Sequence, residues 1–319
     1  MPYVKRPRRG SLQYWPRKRA KRIYPRESHY PEIKDAIPLG FAGWKAGMTH
    51  VQYIDTNSHS PRYGKTVSSA VTILDAPSLF VCGIRFYKKD KTNHVVGEKW
   101  VDKFPKDLDI KRKIFKAGSS KEINDFDDVR LIVSTQPEKS GMRKKKPDLF
   151  ELGVGGDLNT KKEYAENILG KEISAKDIFK PGEFIDASSV TKGYGFTGAV
   201  KRYGIRIQGR KDKQMHRHVG ALGSTTPRHV DWRVPQAGQY GFFTRTEFNK
   251  RIIMIDDDAK KIIPKGGFVG YGIPESFILV EGSVPGPRKR LIRIRKAIRG
   301  TKFVPVDLKY ISLESKQGK

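Results

Sequence analysis

The sequence predicts a mainly β protein: a β-barrel core with an α+β insertion, a long basic loop and an extended N-terminal arm. Three observations lead there. Short runs rich in Val, Ile and Phe recur between Gly and Pro punctuation, at strand rather than helix period. These runs lie on both sides of a charge-balanced stretch and a glycine-rich one, so one barrel built from early and late strands is the economical arrangement. Positive charge is concentrated outside those runs, with a formal net of +30 over 319 residues.

The arm comes first. Residues 1–26 carry ten Lys/Arg and no acid; Arg8, Arg9, Arg17, Lys18 and Arg19 are among them. Pro2, Pro7, Pro16 and Pro25 preclude a long helix, and Tyr14, Trp15 and Tyr24 interleave with the cations. Such a segment has no core of its own. It reads as an arm, residues 1–39, ordered by a polyanion and with Trp15 free to stack on bases.

The barrel is expected from residues 40–90, 181–191 and 242–300. SSAVTILDAPSLFVCGIRFY reads as two strands around the turn Asp75-Ala76-Pro77-Ser78. RIIMIDDD, KIIPKGGFVGYG and ESFILVEGSV continue the pattern. In LIRIR, alternation directs Ile292 and Ile294 to the core and Arg293 and Arg295 outwards. Residues 288–302 hold eight Lys/Arg and no acid. With Arg288, Lys289 and Arg290 ahead of it, that strand is read as a phosphate-binding face. Lys45, Arg245 and Lys250 are the other barrel cations expected at RNA.

Residues 91–180 are expected to form the α+β lobe. The stretch 103–186 balances eighteen Lys/Arg against sixteen Asp/Glu, as a solvated surface does. TKKEYAENILG and SAKDIFKPG predict short helices, the second stopped by Pro181-Gly182. One basic knot, MRKKKPD, supplies Lys144, Lys145 and Lys146. Residues 301–319 read as a C-terminal tail.

The long loop spans residues 192–241. Residues 192–233 hold ten Lys/Arg and two Asp, with His216, His218 and His229. Lys192, Lys201, Arg202, Arg210, Arg217, Arg228 and Arg233 are the contact candidates, joined by the three histidines and Trp232. TKGYGFTG matches the dinucleotide pattern G-x-G-x-x-G, and a strand, EFIDASSV, precedes it. The following AVKRYGIRIQGRKDK is broken by Gly204 and Gly209 and predicts no helix to hold a pyrophosphate. The glycines are therefore read as positions where backbone approaches an RNA phosphodiester. The His-x-His spacing permits a metal site, but no cysteine is near, and RNA contact is the favoured reading. Ser224, His229 and Asp231 could be drawn as a triad, but no nucleophile elbow supports it.

Several classes are excluded. No apolar run reaches the length of a membrane span, and the basic, proline-containing N-terminus is not a signal peptide. The single Cys82 lies in an apolar run and reads as a core thiol of a cytosolic protein.

Five long motifs carry a resemblance: GFAGWKAGMTH (40–50), KKKPDLFELGVGG (144–156), VTKGYGFTGAVKRYG (190–204), QAGQYGFFTRTEFNKRI (236–252) and GSVPGPRKRLIRIR (282–295). Together they resemble the universal ribosomal protein L-three family over nearly the whole chain. The opening RPRRGSLQYWPRKRAKR is similar to the arm of its archaeal and eukaryotic branch. The lobe and the lack of a long lysine-rich tail point to the archaeal type. The resemblance implies a barrel of the translation-protein type and a non-catalytic, cytoplasmic constituent of the large (50S) subunit. It further implies direct 23S rRNA binding early in assembly and a loop directed towards the peptidyl transferase centre. It implies no cofactor beyond magnesium and other rRNA counterions, and no membrane. The neighbours it implies are the universal L-fourteen and the archaeal and eukaryotic L-twenty-four proteins. Relatives commonly carry tryptophan at the loop tip, where this chain has Thr225. Two other classes also suit the charge, an RNA-acting enzyme and a nucleoid-packaging protein; the long loop speaks against the second.

Overall fold

The computed structural model describes residues 9–105, 125–226, 228–300 and 303–315. Arg8 and Pro227 lie outside them. The chain divides into two compact units, one of residues 24–189 with 246–319, the other of residues 1–23 with 190–245.

In the larger unit, β1 (Gly40–Ile54), β2 (Thr66–Asp75), β3 (Leu79–Lys89), β4 (Asn93–Trp100), β5 (Asp128–Ser134) and β6 (Leu149–Gly153) precede helix α1 (Leu158–Asn167). Next come β7 (Glu172–Ile173) and β8 (Phe184–Val190). The smaller unit supplies β9 (Gly193–Thr197), α2 (Ala199–Tyr203) and β10 (Gly238–Gly241). The chain ends with β11 (Thr244–Asp256), β12 (Phe277–Glu281), β13 (Leu291–Lys296) and β14 (Asp307–Ile311).

The barrel closes. Around it the order is β1, β2, β12, β11, β8 and β13, and β13 pairs back onto β1. β1 is long enough to use one edge twice. Its first half pairs with β13 (Gly40↔Arg295 to Trp44↔Leu291), and its second half accepts β14 (Val51↔Ile311). A register shift between Lys45 and Gly47 marks the changeover. Phe41, Ile73, Leu279, Ile292 and Ile294 are all buried. Burial of each such side chain contributes about 1.5–3 kcal/mol relative to exposure.

The second sheet has the order β4-β3-β5-β6, with β7 added to β3. It is held by Val81, Ile84, Leu131, Val133 and Leu152. Arg85 crosses it, paired with Glu98 on β4 and Glu151 on β6.

Several expectations need correction. β3 was expected in the barrel, but it pairs with β4, β5 and β7. Asp75-Ala76-Pro77-Ser78 is thus a crossing between sheets, not a hairpin turn. The tail is not peripheral: β14 takes the edge of β1 that β13 leaves open. Thr49 donates to the Ser312 carbonyl at 2.7 Å, and Ser312 is buried. SAKDIFKPG makes a single turn, Phe179 N–H to Ala175 O at 3.0 Å, rather than a helix. KIIPKGGFVGYG forms turns, because Gly266, Gly267 and Gly270 all have φ between 64° and 84°.

AVKRY, by contrast, does form a helix. Gly204, read above as a breaker, caps α2 in the left-handed conformation at φ 62°. Lys201 and Arg202 sit in its last turn, where the dipole favours cations. Gly193 and Gly195 of the motif lie in strand β9, paired with β10, and Gly198 is the N-cap of α2. The helix is only five residues long and follows a ribbon strand rather than a βαβ crossover.

Candidate nucleic-acid interface

The cations fall into three physical groups, and the grouping follows from what each can reach. The first group is built into the larger unit. Residues 24–30 lie across β13, and their polar groups meet its arginines. Arg293 Nη1 donates to the Pro25 carbonyl at 3.3 Å, and Nη2 donates to Tyr30 Oη at 3.1 Å and to the Glu151 carbonyl at 2.5 Å. Its guanidinium lies 4.5 Å from the Phe150 ring centre. Glu27 Oε2 is 3.2 Å from Arg293 Nη2. Burial pushes the Glu27 carboxyl up, against the pull of Arg293 and Arg295. Arg295 pairs with Asp186 at 3.3 Å and donates to the His29 carbonyl at 2.8 Å. Arg293 is 2% exposed and Arg295 8%.

The expected arginine face is therefore corrected: both side chains point away from the core as alternation requires, but Arg293 meets Glu27 of the covering segment and Arg295 meets Asp186 of β8. Lys45 is corrected likewise. It is buried, its Nζ donates to the carbonyls of Val284 and Gly286 at 3.2 and 3.5 Å, and burial lowers its pKa. It lines a cavity of about 340 Å³ with Ile73, Phe268 and Arg288.

The second group holds the smaller unit together, where apolar residues are too few for a core. Trp15 meets Trp232 edge to face, with ring centres 4.8 Å apart. Arg17 lies over the Tyr203 ring at 5.3 Å. Arg245 lies over Tyr14 at 5.4 Å and Phe243 at 5.1 Å, and donates to the Tyr14 carbonyl at 3.1 Å. Burial, with Arg17 nearby, lowers the Arg245 pKa. Ala20 N–H donates to the Phe242 carbonyl at 2.9 Å, and Arg19 bridges Phe243. Arg202 ties α2 to the ribbon through the carbonyls of Gln239 at 3.0 Å and Gln236 at 2.9 Å. Such cation–ring contacts contribute about 0.5–2 kcal/mol each.

The third group is exposed. In the smaller unit it includes Lys18, Arg19, Lys192, Lys201, Arg210, Arg217, His218, Arg228, His229 and Arg233. Arg233 lies over the Trp232 ring at 5.4 Å. In the larger unit Lys145, Lys146, Arg288 and Lys289 are exposed, and Arg290 is half-buried with a lowered pKa. Lys144 is tied to Asp148, and Lys250 to Glu247 at 2.8 Å. Arg9 and His216 are half-buried.

Among the described residues no group of three His, Cys, Asp or Glu side chains is placed to hold a metal. The drawn triad is not assembled either: Ser224 Oγ donates to the Thr226 carbonyl at 2.5 Å, and Asp231 accepts from Arg233 N–H at 2.8 Å. Burial pushes the Cys82 thiol up to about 12, which leaves it unreactive. No helix of the described residues is long and apolar enough to cross a membrane.

Sequence reasoning missed the rings of β9 and β10. Tyr194 stacks on Tyr240 with centres 5.1 Å apart and planes at 21°, and Phe196 is 80% exposed. The available signal was the pair of aromatics in GYGFT.

A larger unit whose closed β-barrel buries its own arginines and a smaller, cation-rich unit built on ring stacking define a basic structural protein. The family model for ribosomal protein L3 matches residues 1–126 and 106–318, and the chain belongs to that family. The family comprises structural constituents of the large, cytoplasmic ribosomal subunit and not enzymes. The large ribosomal subunit protein uL3 of Methanopyrus kandleri is 46% identical over 333 residues, covering 98% of this chain and 92% of the relative. That of Archaeoglobus fulgidus is 45% identical, covering 98% and 99%. That of Methanospirillum hungatei is 42% identical over the full length of both.

Proposed function

We propose that this chain binds 23S rRNA directly, nucleates early assembly of the large subunit, and directs residues 192–241 towards the peptidyl transferase centre. One observation carries this reading: the exposed cations concentrate in the smaller unit, while the deeply buried arginines of β13 are consumed by internal carboxylates. Residues 192–233 hold only two acids, Asp212 and Asp231. A surface of that composition repels itself until a polyanion neutralises it. Arg228 and His229 are the tip's candidates for base and phosphate contact, since Thr225 is too small to stack as an indole does. The L-fourteen and L-twenty-four proteins are the proposed neighbours on the particle.

The test is binding of the purified chain to a 23S rRNA fragment across a salt series, beside duplex DNA as competitor. The expected slope of log K against log salt corresponds to at least about three phosphates, with RNA preferred. A shallower slope, or release of the chain from large subunits in a high-salt wash, overturns the reading.

A further inference from the structure

The ribbon of β9 and β10 presents an aromatic surface that the packing of its own unit does not use. Two-stranded ribbons are marginal by themselves, and this one is braced by the Tyr194–Tyr240 stack. Gly195 then adopts φ 67°, and the pairing register shifts between Gln239 and Gly241. A break of this kind re-aims the side chain that follows it. That side chain is Phe196, opposite Gln239 in the ladder and 80% exposed.

Cations border the rings. Lys192 Nζ is 5.7 Å and Lys201 Nζ 4.6 Å from the Tyr194 ring centre. Phe196 is two residues further along the strand, about 7 Å away. An exposed ring face accepts a flat π system, and lysines one step away accept its phosphate. A purely apolar protein partner would draw nothing from those lysines, and a basic one would be repelled. In an A-form duplex the base faces are already stacked on one another, so only a bulged, looped or single-stranded nucleotide offers a free one.

We propose that Phe196 is a stacking platform for an unpaired RNA nucleotide, with Lys192 and Lys201 at its phosphates. This rests on the rRNA-binding reading above.

The experiment uses the full chain and two probes, a 12-nucleotide single-stranded oligoadenylate containing one 2-aminopurine and a 12-base-pair RNA duplex. Quenching of the 2-aminopurine on binding reports stacking. Phe196→Ala should weaken single-strand binding roughly 5- to 150-fold and abolish the quenching, with duplex binding unchanged. Phe196→Trp should retain both signals. Lys201→Gln should weaken both probes alike and flatten the salt slope. Phe196 is exposed, so circular dichroism should show the variants folded. Equal losses on both probes, or no loss on either, overturn the platform while the rRNA-binding reading stands. If Phe196→Ala binds both probes normally yet fails to enter reconstituted large subunits, the ring contacts a protein instead. A wild-type chain that binds neither probe nor the 23S fragment overturns both readings.

Discussion

Arg293 and Glu27 meet at 3.2 Å with each side chain only 2% exposed, although 265 positions separate them in the chain. The contact turns a basic strand into an internal brace. Arg293 also serves the Pro25 and Glu151 carbonyls, so its removal strands several buried groups at once.

The first prediction follows from that brace. Arg293→Ala should destabilise the fold by about 3–5 kcal/mol, the cost of leaving a buried partner unpaired. Urea unfolding measures it. The salt slope of rRNA binding should stay at its wild-type value under conditions where the variant is folded. A normal urea midpoint with weakened RNA binding would restore the arginine-face reading.

Asp75 gives a pH prediction. Its Oδ2 accepts from Tyr271 Oη at 2.6 Å and from Gly141 N–H at 3.0 Å, yet burial dominates and pushes the carboxyl up to about 6. The folded state therefore holds the proton more tightly than the unfolded chain. Its contribution to stability is fully present below the ordinary value of 3.8, declines as pH rises towards about 6, and is absent above that. The stability of wild type relative to Asp75→Asn should fall by about 2 kcal/mol between pH 4 and pH 6.5. Thermal melts of the pair across that range check it, and a difference that is flat with pH refutes it.

The exposed cations should behave in the opposite way to Arg293. Lys145→Ala with Lys146→Ala should leave the urea midpoint within about 0.5 kcal/mol. Deleting residues 1–26 would remove the covering contacts of Pro25, so the cleaner cut is after Gly10. That truncation and the double alanine should each flatten the salt slope by about one to two phosphates.

At the loop tip, Arg228→Ala with His229→Ala should impair subunit assembly or transfer-RNA accommodation, and Thr225→Trp should be tolerated. Reconstituted subunits assayed for peptidyl transfer provide the measurement. Normal subunits from the double alanine would make the tip a passive spacer.

The sequence revealed periodicity but not what covers each face. LIRIR alternates as read, with Ile292 and Ile294 inside, yet the fate of Arg293 and Arg295 depends on Glu27 and Asp186, which arrive from far along the chain. The same limit hid β14. VDLKYIS was readable as a strand only once β1 was known to have a vacant edge beyond its register shift. Gly204 was legible as a helix breaker, but a breaker and a left-handed cap are the same residue until the preceding turn forms. The cations of the loop were readable because little lies near them to neutralise them. Arg17 and Arg245 were readable as cations, but their stacking depends on ring positions that no spacing encodes.

Barrel closure has a consequence for the order of synthesis. β1 begins at Gly40, but the strand that seals the first half of its open edge ends at Lys296 and the one that seals the second half ends at Ile311. More than nine-tenths of the polypeptide must therefore be made before the ring can shut. During that interval β1 and β2 can pair, but an unsealed edge persists and is open to wrong partners. A message truncated anywhere upstream of codon 291 yields a chain in which no rearrangement of the remaining strands restores this ring. Stalled synthesis should therefore produce material for degradation rather than a shortened working protein.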